Sequence, residues 1–109
     1  MEELLALDVP PTAVIAFNDI MAYGVMHVIY KKGLRIPKDI SVIGFDDVPT
    51  SAYIIPPLTT VALPAYRMGQ LAMRLIRRIQ AGEDMSTTEP IILESPLVIR
   101  ESSGPVPEI

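Results

Sequence analysis

Two polar side chains stand where short apolar runs end. Asn18 follows residues 13–17 (AVIAF), and Asp46 follows residues 40–45 (ISVIGF). Runs of this length without polar alternation suit strands of a parallel sheet buried on both faces. In open α/β sheets, ligands bind outside the carboxyl ends of such strands. A carboxylate there can accept hydrogen bonds from two neighbouring hydroxyls, and an amide can both donate and accept. The pair suits a polyhydroxylated ligand. The alternative is that Asn18 merely caps the next helix and Asp46 a turn.

Other chemistry finds less support. Asp46 and Asp47 could serve one metal or act as an acid/base pair, but adjacent residues on an extended chain point opposite ways. There is no G-x-S-x-G elbow, and neither G-x-x-x-x-G-K nor G-x-G-x-x-G occurs. The single histidine, His27, lies inside an apolar helical stretch, where a packed histidine is expected before a proton-sensing one. The absence of cysteine excludes disulfides, thiolate metal sites and cysteine nucleophiles. No enzyme activity, metal or cofactor is expected. Arg67, Arg74, Arg77 and Arg78 form a basic stripe with no acid in residues 65–82. Nine basic against thirteen acidic residues leave a net charge of -4, so this stripe reads as a solvated helix face rather than a grip on nucleic acid.

The elements that must position Asn18 and Asp46 follow from composition and periodicity. A chain of 109 residues, half of them hydrophobic, can bury one modest core. No apolar stretch reaches the roughly 18 residues of a membrane span, and Glu2 and Glu3 stand where a secretory signal would be basic. A cytoplasmic globular unit is expected. Residues 1–12 read as the tail of a helix and a turn, so the chain is expected to be part of something larger. A helix over residues 19–32 follows the first strand, closed by Gly33. Ile20, Met21, Tyr23, Val25, Met26, Val28, Ile29 and Tyr30 cover nearly its whole circumference, so it should be buried all round and needs a partner outside the sheet. With residues 40–45 as the second strand, the result is a right-handed βαβ unit of the α/β class. Residues 48–57 read as irregular and residues 58–61 as a third strand. A second helix over residues 65–81 carries Met68, Leu71, Ala72, Leu75, Ile76 and Ile79 in one apolar stripe. Residues 91–93 and 96–100 read as strand pieces.

The order of local patterns carries a resemblance. Pro11-Thr12-Ala13, Phe17-Asn18-Asp19 and Met21-Ala22-Tyr23-Gly24 are similar to segments of the LacI/GalR family of bacterial transcription regulators. So are Gly33-Leu34-Arg35-Ile36-Pro37, residues 39–47, Pro57-Leu58-Thr59-Thr60-Val61 and the closing Leu97-Val98-Ile99-Arg100-Glu101-Ser102. The resemblance implies the C-terminal part of a two-lobed, periplasmic-binding-protein-like (type I) domain. Residues 1–62 would belong to its C-terminal lobe, 63–90 would cross with an amphipathic helix to the N-terminal lobe, and 91–109 would return as strands and tail.

By resemblance, Asp46 contacts a small-molecule effector, a sugar or related metabolite, and Asn18 contacts the sugar. Leu63 stands where the family often carries glutamine, which implies a different or less polar effector. The helix after Asn18-Asp19 would form a homodimer interface, with Tyr23, His27 and Tyr30 facing out and Ile54 beside them. Operator DNA would be bound only through a helix-turn-helix that this chain lacks, and no membrane is involved. The stripe of the second helix would need new cover, by repacking or by exchange between chains. The competing reading is part of a periplasmic sugar-binding transport protein, which shares the fold. The Arg100-Glu101-Ser102 ending favours the regulator.

Overall fold

Within residues 1–108, which the computed structural model describes, the chain forms α1 (Glu2–Leu5), β1 (Ala13–Ile15), α2 (Asp19–Lys31) and β2 (Ser41–Ile43). A 3-10 turn (Pro49–Ala52), β3 (Thr60–Val61), α3 (Ala65–Gln80) and β4 (Leu97–Val98) follow. Residues 1–62 and the chain from Pro96 onward form one compact unit, and Leu63–Ser95 form a second.

In the first unit β1 and β2 pair in parallel, with Ala13 opposite Ser41 and Ile15 opposite Ile43. Their crossover is α2, as the βαβ pattern predicts. The pairing continues past the strand ends, through Ala16 N–H to Ile43 O (2.8 Å) and Asp19 N–H to Phe45 O (2.9 Å). Residues 59–61 run alongside in parallel, through Gly44 N–H to Thr59 O (2.9 Å) and Asp46 N–H to Val61 O (3.0 Å). β3 also pairs with β4, antiparallel, Thr60 opposite Val98. Residues 48–57 are less irregular than their composition suggests, because Pro49 opens the 3-10 turn.

The core is Ala16, Ala22, Met26, Ile29, Ile40, Val42 and Leu58. Ala22, Met26 and Ile29 bring α2 to it. Strand side chains alternate between faces. Ala16 is buried, while Ile15 and Phe17 are 76% and 83% exposed. Burial on both faces is therefore not realised in β1, but it is in β2, where the successive residues Ser41 and Val42 are both buried and are met by Gly104 and Ser102 of the closing segment. Burial of α2 all round fails on the side away from the core. Ala22, Met26 and Ile29 face the core, and Ile20, Met21 and Tyr30 remain exposed.

In the second unit α3 matches its expected span within one residue. Met68, Leu71, Ala72 and Leu75 face Ile91 and Leu93 across a small hollow. No residue of α3 is buried, and Ile76 and Ile79 are exposed. The stripe does not repack within this chain. Residues 91–93 form no strand, contrary to their apolar character, since no strand of the second unit is there to pair with them.

Candidate functional site

The two positions after β1 and β2 lie side by side, joined by Asp19 N–H to Phe45 O (2.9 Å). Asn18 caps α2, its Oδ1 accepting from Met21 N–H at 2.8 Å. That bond occupies the oxygen, so the amide nitrogen and its two donors are directed elsewhere. Capping and ligand contact need not compete for this residue.

Asp46 does not sit on extended chain, as adjacency on a strand would have it. Its φ is 106° and that of Asp47 is 54°. Two successive non-glycine residues in left-handed space store strain that the surroundings must hold. Asp46 N–H is held by Val61 O, and Asp47 N–H approaches Thr60 Oγ1 at 3.4 Å. The Asp47 carboxylate accepts from Arg100 Nη2 at 2.7 Å, and Arg100 Nη1 donates to Leu58 O at 2.9 Å. Asp47 is thus spoken for by a charge-assisted pair. The Asp46 carboxylate has no hydrogen-bond partner among the described residues and borders an open hollow of about 600 Å³ with Ile15, Ala16, Phe17 and Phe45. Asn18 does not line that hollow. One ionisable acceptor beside three large apolar side chains can bind a hydroxyl or N–H while a flat apolar surface covers the rest. No cluster of three metal-ligating side chains occurs among the described residues.

Sequence reasoning missed Asp19, the first residue of α2. It is fully buried. Its Oδ1 accepts from Thr60 Oγ1 (2.6 Å), and its Oδ2 accepts from Val48 N–H (2.9 Å) and Ser51 Oγ (2.6 Å). The available signal was an acidic residue directly after a capping asparagine, at the start of a helix too apolar to leave it in solvent.

The outer face of α2 brings Tyr23, His27, Tyr30 and Ile54 together, with Met26 and Ile55, around a shallow hollow of about 220 Å³. Tyr23 Oη lies 2.7 Å from Ser51 Oγ and 2.9 Å from Thr50 Oγ1. Tyr30 Oη donates to Ile55 O at 3.1 Å, and burial pushes this phenol above its ordinary pKa. His27 is exposed on this face rather than packed. On α3, Arg78 pairs with Glu83 at 2.6 Å, as a solvated face would.

The model of the periplasmic binding protein-like domain matches residues 1–103. The probable HTH-type transcriptional repressor ExuR of Bacillus subtilis is 48% identical over 103 residues. This chain belongs to the LacI-type periplasmic-binding-protein-like family. The LacI-type match to ExuR covers 94% of this chain and 30% of that relative. A LacI family transcriptional regulator from Enterococcus faecium, solved with bound ribose, superposes with a TM-score of 0.79 at 37% identity, over 95% of this chain and 38% of that one. The lac repressor dimer bound to operator and the anti-inducer ONPF gives 0.82 at 35% identity, over 93% and 30%. The described LacI-type chain has no helix long and apolar enough to cross a membrane.

Proposed function

We propose that this LacI-type chain is the effector-sensing and self-associating part of a transcription regulator. It binds a sugar or related metabolite, which controls operator binding by a helix-turn-helix outside this chain. The observation that carries the reading is Asp46. Its carboxylate stands unpaired beside the carboxyl ends of parallel strands, on a turn held in strained geometry, while its neighbour Asp47 is tied up by Arg100. Ribose in a relative 37% identical agrees with that chemistry.

In this reading residues 1–62 belong to the C-terminal lobe of the effector-binding core, and the helix within 63–90 to the N-terminal lobe. The division of the chain at 62/63 supports this. Effector binding favours one arrangement of the whole regulator, and that arrangement sets the spacing of paired DNA-binding heads. The α2 face with Tyr23, His27, Tyr30 and Ile54 joins two copies. The apolar walls Ile15, Phe17 and Phe45 favour an effector with a flat apolar face beside its hydroxyls. The regulator works in the cytoplasm, with no enzymatic step and no cofactor.

Asp46→Ala in the intact regulator tests the reading. The effector response should vanish while operator binding by the unliganded protein stays as in the parent. An unaltered effector response would remove Asp46 from the site.

A further inference from the structure

We propose that Asp19 is a positioning residue shared by the two candidate sites: it holds the left-handed Asp46-Asp47 turn from both sides and orients the Tyr23 phenol on the outer face of α2. The ligand half of this inference rests on the reading of Asp46 given above; the hydrogen-bond geometry does not.

The turn is bracketed by one residue. Asp19 N–H binds Phe45 O immediately before the turn, and Asp19 Oδ2 accepts from Val48 N–H immediately after it. Oδ1 accepts from Thr60 Oγ1, the oxygen that Asp47 N–H also approaches. Left-handed φ at two consecutive aspartates persists only where the surroundings over-determine it. These bonds to a buried carboxylate supply that constraint, and bonds to a charged acceptor are the strong kind. The approach requires Gly44. A Cβ there would collide with Asp19 Oδ1 and lie 2.9 Å from Leu58 Cδ2.

The same carboxylate sets the direction of a chain that leaves the core. An ionised carboxylate only accepts, so the Ser51 hydroxyl donates to Oδ2. Ser51 Oγ must then accept from Tyr23 Oη, and Tyr23 Oη from Thr50 Oγ1. Thr50, Tyr23, Ser51 and Asp19 thus form one directed series that ends on the residue bracketing Asp46. Val48 and Ser51 share a single oxygen, so displacing it disturbs the turn and the phenol together.

Backbone amide exchange of this chain by NMR, in the parent, Asp19→Ala and Asp19→Asn, tests the proposal. Asp19→Ala should accelerate exchange at Val48 by at least about tenfold relative to Val42, whose N–H binds Ser102 O in the core. Asn keeps one acceptor oxygen for Val48 and Ser51 and an N–H for Thr60, so Asp19→Asn should restore Val48 protection. Should Asp19→Ala fail to fold, the isosteric Thr60→Val frees Oδ1 and removes the oxygen that Asp47 N–H approaches, so it should accelerate exchange at Asp47 relative to Val42, and an unchanged Asp47 would count against the bracketing. Equal acceleration at Val48 and Val42, or an unchanged Val48, overturns the proposal and leaves Asp19 as ordinary core. A D-ribose titration on the same samples reads the ligand half. If Asp46 binds the sugar, Asp19→Ala should weaken it and Asp19→Asn should recover it. No ribose binding by the parent tells against ribose as ligand and leaves the exchange result standing.

Discussion

Asp46 and Asp47 differ by one position in sequence and wholly in circumstance. Arg100 neutralises Asp47, while Asp46 keeps an open carboxylate beside Phe17 and Phe45. The difference arises from a turn in which both residues take positive φ. Gly44 makes that turn possible by leaving room for Asp19. Gly44→Ala is therefore expected to destabilise the chain by roughly 3 kcal/mol, since Leu58 and the buried carboxylate must both shift. Urea unfolding followed by circular dichroism measures it, and a change below about 0.5 kcal/mol would deny the close approach. Asp39 shows a second residue-scale effect. Bonds from the Arg35 guanidinium and backbone N–H hold its pKa down to about 2. A depressed folded pKa adds stability above the ordinary carboxylate range, and that part is lost as pH falls from about 4 to about 2. The pair is exposed, so the effect is small and salt-sensitive. Arg35→Leu should bring the Asp39 carboxyl back toward its ordinary pKa in a carbon-detected NMR titration.

At the scale of elements, the start of α2 carries a cap to which the proposed function adds a ligand contact. Asn18 stops the strand and starts the helix, and its Oδ1 fills an orphan donor at the first turn. Asp can cap equally well but has no N–H to offer a ligand. Asn18→Asp should leave the melting temperature within a few degrees of the parent while weakening sugar binding; Asn18→Ala should cost about 1 kcal/mol of stability as well. Melting curves beside a ribose titration separate the two roles, and equal binding by parent and Asn18→Asp would confine Asn18 to capping. α3 poses the opposite case. Its apolar stripe was plain from spacing, yet no residue of it is buried, because periodicity names a face without naming what covers it.

At the scale of the molecule, the proposed second copy would cover the exposed side of α2. Tyr23, His27, Tyr30, Ile54 and Ile55 form a continuous surface with a satisfied hydrogen bond on each phenol, the mixture of aromatic and polar groups that interfaces favour. Light scattering across micromolar concentrations should show a dimer, and Tyr23→Glu should return it to a monomer. A monomeric parent would withdraw this face as an interface. Burial also bears on the sheet. Ile15 and Phe17 lie open on the face away from α2, and the chain spans about 30% of the length of curated relatives that it matches.

Local pattern by itself determined the α2 and α3 spans, the parallel β1–β2 pair and the placing of Asn18 and Asp46 after two strands. Each depends on neighbours within a few residues: a cap, a run of apolar side chains, a glycine such as Gly33 at φ 75°. What only the tertiary structure decided depends on partners distant along the chain. Asp47 is paired by a residue 53 positions away, and Asp19 accepts from hydroxyls 32 and 41 positions away. No periodicity encodes such meetings, since they exist only once α2, the 3-10 turn and β3 converge on one carboxylate. That convergence turns an ordinary Asp-Asp pair into one engaged and one available acid.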